Sequence, residues 1–180
     1  MARKWQNWAR TASATPLDVV AAVDPQQLAA QVERAAAAGR TIRVIGSGHS
    51  FTSTAVANDI MITPGELTRV RAVDAEAGRI TVEAGIDLTT LCQVLDSHGL
   101  ALTNMGDVRV QTLAGALQTG THGCGRDTGT FADMVVGLEL ILGDGSIVRV
   151  DANNDPDLFN SARVGLGAFG VVTAITLAVE

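Results

Sequence analysis

The chain has 180 residues, of which 47% are hydrophobic, 18% charged and only 3% aromatic, with 19 glycines and a formal net charge of −6. A chain of this length buries about 70% of its unfolded surface, so we expect a substantial aliphatic core. The negative charge and the few aromatic side chains argue against nucleic acid or an anionic membrane surface as the main partner. The high glycine content favours either many turns or a close approach of backbone to a ligand.

Residues 1–15 form a polar arm that carries Trp5 and Trp8, and we expect this arm to lie against the domain. The arm lacks the apolar stretch of a signal peptide, and no segment reaches the roughly 18 apolar residues of a membrane span. Cys92 and Cys124 are the only cysteines, and they form neither a disulfide framework nor a paired metal-binding motif. We therefore expect a cytoplasmic protein without a transmembrane segment.

Three segments carry the signals of helix starts. Asp24-Pro25 predicts an N-cap and a first helical residue, and Gly39 predicts the end of that helix. Asp87 opens a second predicted helix, which ends before Gly99. A third, short helix is predicted to begin within residues 154–156, where Asp again precedes Pro.

Alternation of apolar and polar residues predicts strands, which lie near residues 41–44, 79–84, 138–142, 147–150 and 171–179. The segment Gly143-Asp144-Gly145-Ser146 is typical of a hairpin loop. Because helices are mixed with sequential hairpins, the predicted fold class is α+β rather than a regular βαβ alternation. The sequence ends on a strand-like run, and we expect a further domain to follow it.

A first glycine-rich loop, Gly46-Ser47-Gly48-His49-Ser50, directly follows a predicted strand. Glycines in such a loop can expose successive main-chain N–H groups to an anion, and the two serines add hydroxyl groups. This pattern favours a phosphate or pyrophosphate ligand. A plain tight turn that presents a surface histidine is the alternative.

A second segment, residues 104–125, is the densest cluster of Gly, Ala and Thr in the chain. We expect it to be irregular, and loops of that length in a compact domain are usually functional. Small residues would let a flat ligand lie against the backbone. A wide connection between strands is the alternative.

The third segment, Gly165 to Gly170, matches the glycine string of dinucleotide-binding sites. It is followed by a predicted strand, whereas the Rossmann fingerprint must open a helix. We therefore exclude a Rossmann site and expect a turn at Gly165 and Gly167.

His49 and His122 lie in two of the glycine-rich segments, whereas His98 follows a predicted helix end and is expected to be structural. No His, Cys or Asp cluster has the spacing of metal ligands, so no metal site is expected. His122 and Cys124 are close neighbours on one segment, which argues against a nucleophilic thiol–imidazole pair. His49, flanked by anion-binding glycines, is the better candidate nucleophile.

Taken together, Arg43-x-x-Gly46-x-Gly48-His49-Ser50 and Gly120-Thr121-His122-Gly123-x-Gly125 resemble the FAD-binding domain of the vanillyl-alcohol oxidase/p-cresol methylhydroxylase flavoproteins. The Trp5-Gln6-Asn7-Trp8 arm, the Gly-Asp-Gly hairpin and Gly167-x-x-Gly170-Val171-Val172-Thr173 fit the same pattern. The likeness is strongest to the sugar-lactone and alditol oxidoreductases of that family. It implies a two-lobed α+β domain of the PCMH type, each lobe a mixed sheet with flanking helices. One lobe would span residues 16–100 and the other 101–180. The substrate domain, which holds the catalytic groups, would lie beyond this chain.

The resemblance also implies FAD, attached covalently to His49 through the flavin 8α carbon. The Gly46–Ser50 loop would hold the pyrophosphate, and Gly106 would leave room for oxygen beside the flavin ring. Asp107 and Cys124 depart from the small hydroxyl residues common in the family. The positions that match cofactor-binding residues are Ile45, Gly46, Ser47, Gly48, His49, Ser50, Gly106, Asp107, Thr112, Gly115, Ala116, Thr119, Gly120, Thr121, His122, Gly123, Val171 and Val172.

The implied function is oxidation of a sugar lactone or alditol by hydride transfer to flavin N5, with oxygen or a redox protein as acceptor. These residues alone would turn over little substrate. One alternative is the FAD domain of a UDP-N-acetylenolpyruvylglucosamine reductase-like enzyme, in which the flavin is not covalently bound. The other is a non-catalytic nucleotide-binding module.

Overall fold

The computed structural model describes residues 4–180. The strands are β1 (Trp5–Gln6), β2 (Ser13–Ala14), β3 (Asp18–Ala21), β4 (Ile42–Val44), β5 (Ile60–Thr63), β6 (Val70–Asp74), β7 (Arg79–Glu83), β8 (Val135–Ile141), β9 (Ile147–Asp151) and β10 (Val171–Ala178). The helices are α1 (Pro25–Ala37), α2 (Leu88–Ser97), α3 (Leu113–Gln118), α4 (Phe131–Met134) and α5 (Pro156–Ala162). In residues 4–180 no helix is long and apolar enough to cross a membrane.

The strands form a small hairpin and two larger sheets. β1 and β2 pair in the arm, while β3, β5 and β4 form a parallel sheet in that order. The remaining strands form an antiparallel five-stranded sheet in the order β6-β7-β10-β8-β9. The α+β class is thus confirmed, with parallel and antiparallel strands segregated into different sheets. The chain changes sheet between Thr63 and Val70, well before the lobe boundary expected near residue 100.

The predicted helix starts are confirmed, and at each of them an Asp side chain caps the helix. The Asp24 carboxylate accepts a hydrogen bond of 2.8 Å from the Gln27 N–H, and Asp87 accepts one of 2.9 Å from the Thr90 N–H. Such caps satisfy N–H groups that have no partner inside the helix. Gly39, with φ +63°, ends the first helix in a conformation that other residues rarely adopt.

Three apolar cores hold the sheets in place, and the smallest consists of Ala14, Ile45, Ala57 and Met61. The larger core lies between the five-stranded sheet and α2, α3, α4 and α5. The second core contains Leu28 of α1 and Ile62 of β5, together with Ile141 of β8 and Val171 of β10. Because strands of both sheets contribute to this core, the two sheets are packed together where β8 and β10 approach α1.

Two buried carboxylates lie on the five-stranded sheet and are paired with arginines. Glu83 is 1% exposed and Glu139 is 7% exposed. Arg69 lies 2.9 Å from Glu83, and Arg71 lies 2.8 Å from Glu139. Burial alone would raise the pKa of the Glu139 carboxyl, but hydrogen bonds from Arg71 and Thr173 outweigh it and hold that pKa below its usual value.

Candidate functional site

A cleft of about 390 Å³ lies between the two larger sheets. One wall is formed by β4 and the loop that follows it, and the other by α3, the loop of residues 165–170 and the start of β10. The main lining residues of the first wall are Ile42, Arg43, Val44, Gly46, Ser47, Gly48, His49 and Ser50. Those of the second wall are Thr112, Gly115, Gln118, Thr119, Leu166, Gly167, Ala168, Phe169, Gly170, Val171 and Val172.

The main-chain N–H groups of the loop of residues 46–50 make no hydrogen bonds within the described part of the chain. Ile45 is 3% exposed, and its N–H donates a hydrogen bond of 2.8 Å to the Ile62 carbonyl, which fixes the end of β4. Within residues 4–180, no acceptor takes a hydrogen bond from the N–H groups of residues 46–50. These residues are exposed or half-buried at the cleft. A run of free N–H groups of this kind favours an anion.

The opposite side of the same loop is hydrogen-bonded to the arm. The Trp8 N–H donates to the Gly48 carbonyl at 2.9 Å, and the Asn7 side-chain amide donates to the Ser50 carbonyl at 2.8 Å. The Thr11 hydroxyl donates to the Phe51 carbonyl at 2.7 Å. The arm therefore pairs carbonyl groups of the loop and leaves its N–H groups free.

His49 is stacked on an aromatic residue of the arm. The imidazole and the Trp8 indole have ring centroids 5.2 Å apart and planes inclined by 17°. Phe51 meets the same indole edge-on, with centroids 6.2 Å apart. Offset and edge-on arrangements are the favoured geometries of aromatic pairs. His49 thus lines the cleft, and its ring belongs to an aromatic cluster with Trp8 and Phe51.

Part of the second glycine-rich segment is a helix rather than the irregular loop expected from the sequence. Thr112 caps α3, and its hydroxyl oxygen accepts a hydrogen bond of 3.2 Å from the Gly115 N–H. The Leu and Ala residues that follow are strong helix formers, and this local signal could have predicted the helix. Ala116 lies on α3 and is completely buried, so it belongs to the core and not to the cleft lining.

Ser47 connects the first loop to the segment before α3. Its hydroxyl donates a hydrogen bond of 2.6 Å to the Val110 carbonyl. The only proton of the hydroxyl is used there, so Ser47 does not offer the side-chain donor that the sequence predicts, and its oxygen remains only an acceptor.

Residues 104–110 and 120–125 of the second segment lie outside the cleft lining and form a separate cluster. Asn104 is 6% exposed, accepts a hydrogen bond of 2.8 Å from the Gly123 N–H and donates to the Gly129 carbonyl. Gly106 packs against Thr121 and the His122 carbonyl. The predicted site residues outside the cleft lining are Ile45, Gly106, Asp107, Ala116, Gly120, Thr121, His122 and Gly123.

Arg43 is a cleft residue that belongs to the family motif but is not among the predicted cofactor-binding residues. Among residues 4–180 it is the one Lys or Arg in the lining, and that lining contains neither Asp nor Glu. Its guanidinium donates to the Leu166 carbonyl across the cleft at 3.3 Å. In a chain with net charge −6, an acid-free cleft with an arginine favours an anionic ligand.

The third glycine-rich segment forms a turn before a strand, as predicted, but it also lines the cleft. Gly167 has φ +79°, and its N–H donates to the Gln118 side chain at 3.3 Å. The Gln118 amide in turn donates to the Ala162 carbonyl at 2.7 Å. Local sequence signals predict only the turn, because the contribution of this loop to the cleft arises from its contact with α3.

Comparison with known proteins agrees with this geometry. The profile of the FAD binding domain family matches residues 16–151. This chain belongs to the FAD-binding domain family. FAD is therefore the cofactor of the domain. The free N–H groups of residues 46–50 and the acid-free lining, which also contains the apolar Val171 and Val172, fit a ligand with two phosphates and flat rings.

Relatives of the domain are named for oxidation or dehydrogenation of a sugar lactone. It is 37% identical to L-gulonolactone oxidase of Mus musculus over 97% of this chain and 40% of that protein. It is 36% identical to L-gulono-1,4-lactone dehydrogenase of Mycobacterium tuberculosis over 96% of this chain and 40% of that protein. The chain thus spans about 40% of the length of these relatives. The fold matches chitooligosaccharide oxidase with a TM-score of 0.84 at 24% identity, covering 93% of this chain and 36% of that one.

Proposed function

We propose that this domain is the cofactor-binding part of an oxidoreductase that oxidises a sugar lactone or an alditol. The relatives that share more than a third of its residues are named for lactone oxidation or dehydrogenation. The observation that carries the proposal is the cleft itself, where free N–H groups, Arg43 and His49 lie along one wall of a lining without carboxylates. When bound, the flavin would accept a hydride at N5, and the protein would supply binding and orientation.

The predicted site residues have distinct roles in this proposal. Those of the cleft lining, Gly46, Ser47, Gly48, His49, Ser50, Thr112, Gly115, Thr119, Val171 and Val172, would hold the pyrophosphate and the apolar rings. Ile45 and Ala116 would support the two walls from the cores. The cluster of Gly106, Asp107, Gly120, Thr121, His122 and Gly123 would complete the site near the flavin ring. Its support is the tight packing of Gly106 against Thr121 and His122.

His49 would carry the flavin covalently. His49 is a lining residue of the cleft and belongs to the loop of free N–H groups, so a cofactor whose phosphates are held by those donors would extend along the same wall as His49. We further propose that oxygen or a redox protein re-oxidises the cofactor and that the enzyme works in the cytoplasm. The groups that bind the sugar and remove its hydroxyl proton would come from residues beyond this domain.

The test is flavin retention after denaturation. The chain is expressed in flavin-replete cells, precipitated in acid, and its gel band examined for flavin fluorescence. We expect a fluorescent band from the wild type and from His98→Ala, a control that replaces an exposed histidine outside the cleft. His49→Ala is expected to bind FAD yet release it in acid.

Other outcomes separate the alternatives. Releasable flavin in the wild type would contradict the covalent link and favour a reductase-like domain. A colourless chain that does not take up added FAD would overturn the whole proposal. Uptake of FAD without reduction by any lactone or alditol, in the protein completed by its substrate domain, would favour a non-catalytic module.

A further inference from the structure

Residues 4–14, the described part of the arm without its last residue, are hydrogen-bonded to the loop that lines the cleft. Three of these residues donate hydrogen bonds to consecutive parts of the loop that faces the cleft, at Gly48, Ser50 and Phe51. Each of these bonds uses a carbonyl of the loop. The arm therefore holds the loop through its carbonyl groups, and the N–H groups of residues 46–50 keep no partner within residues 4–180.

We propose that this arm is a working part of the cofactor site and that Trp8 is a positioning residue for His49. The inference rests on the proposed covalent attachment of flavin to His49. The indole lies nearly parallel to the imidazole, with planes inclined by 17° and centroids 5.2 Å apart. This stack restricts the rotation of the side chain of His49, which is a lining residue of the cleft.

The positioning matters because attachment needs a specific approach of the imidazole. A His49 ring nitrogen forms a bond to the methyl carbon on the dimethylbenzene ring of oxidised flavin. The methyl group and the imidazole each lose one proton, and the flavin takes up both protons and two electrons. Dioxygen then re-oxidises the reduced flavin and is itself reduced to hydrogen peroxide. A nucleophile held in a reactive orientation avoids much of the entropy cost of such a step.

The accessibility of Trp8 allows its role to be separated from folding. Its side chain is 66% exposed, so truncation removes little from the core. The main-chain bond from Trp8 to Gly48 does not depend on the side chain. Asn7, in contrast, is 3% exposed and bonded to Thr11, Ala12 and Ser50, so its replacement would disturb the hairpin itself.

The experiment measures the rate of flavin attachment. The chain is purified from riboflavin-starved cells and mixed with FAD in air, and samples are quenched in acid and scored for protein-bound fluorescence. We expect Trp8→Ala to slow attachment roughly three- to ten-fold, the range that corresponds to an aromatic pair. Trp8→Phe should restore most of the rate because it keeps a ring on the imidazole. Leu17→Ala removes another exposed apolar side chain, 65% exposed, and should leave the rate unchanged.

A second measurement excludes a general effect on the site. FAD affinity is compared between His49→Ala and the double variant with Trp8→Ala, and we expect a difference below about two-fold, since the loop bonds do not involve the indole. If Trp8→Ala attaches flavin at the wild-type rate, or if its slower attachment is matched by an equal loss of affinity, the positioning role is wrong. If the wild type attaches no flavin, the proposed covalent link fails and this inference with it.

Discussion

Gly46 and Thr112 belong to opposite walls of the cleft and touch where the walls meet. A Cβ atom at position 46 would stand 2.5 Å from the Thr112 hydroxyl oxygen and 3.5 Å from the Gly115 Cα. Thr112 is the cap of α3, so its hydroxyl is already fixed by the Gly115 N–H. The missing side chain at Gly46 therefore allows the end of β4 to pack on the start of α3. In the sequence this glycine suggests ligand contact, and the structure adds a packing reason.

We expect Gly46→Ala to lower the free energy of unfolding by about 1–3 kcal/mol, because the added methyl group must displace a capping side chain in a packed contact. Urea denaturation of the FAD-free chain measures this change. The matched control is Gly65→Ala, since nothing lies within 4 Å of a Cβ at that position. Equal stability of the two variants would show that the walls adjust without cost.

Arg43 is expected to contribute to FAD affinity through its charge. In the His49→Ala background, Arg43→Gln should weaken FAD binding about ten-fold, a typical loss for a charge-assisted hydrogen bond, and should reduce the dependence of affinity on salt. Isothermal titration at two salt concentrations measures both. Arg79→Gln removes the same charge from an exposed position on β7 and serves as the control. An equal loss in that control would indicate a nonspecific effect of net charge.

Glu139 is expected to make the stability of the domain sensitive to acid. Because its pKa is lower in the folded chain than in the unfolded chain, its stabilisation is present above the unfolded pKa of about 4.3 and is lost as pH falls through the folded value. Glu139→Gln should cost about 1–3 kcal/mol at neutral pH, since it leaves Arg71 with a weaker partner. The difference from wild type should shrink in acid.

Thermal unfolding between pH 7 and pH 3 tests this dependence. Glu76→Gln, at an exposed turn position, should show no such convergence. A constant difference between wild type and Glu139→Gln across that range would contradict the assigned pKa direction.

The cap of α2 offers a test of how much a capping side chain stabilises the larger core. Asp87 accepts hydrogen bonds from both the N–H and the hydroxyl of Thr90, and these bonds lower the pKa of its carboxyl. Asp87→Ala is expected to destabilise the chain by about 1 kcal/mol through loss of the cap. Asp96→Ala, in the last turn of the same helix, should be neutral or slightly stabilising because a negative charge is unfavourable there. Chemical denaturation of both variants distinguishes a cap effect from a general effect of charge.

Local signals in the sequence predicted the helix starts at Asp24, Asp87 and Asp155, because a capping side chain acts on its own neighbours. They also placed Gly46 to Ser50 after a strand, where the structure has the cleft. The pairing of β7 with β10 could not be predicted, since it joins residues about half the chain apart and depends on the packed core. For the same reason the contacts of Arg43 and Gly167 could not be predicted, as they exist only once β4, α3 and the 165–170 loop meet.

The position of β4 at the border of the parallel sheet has a consequence for handling the protein. Its outer backbone edge is not paired with another strand of residues 4–180, and Ile42 and Val44 flank it in the cleft. Unpaired edges of this kind invite intermolecular strand addition. A cofactor seated in the cleft would shield that edge. We therefore expect a smaller fraction of aggregated protein when flavin is supplied during expression.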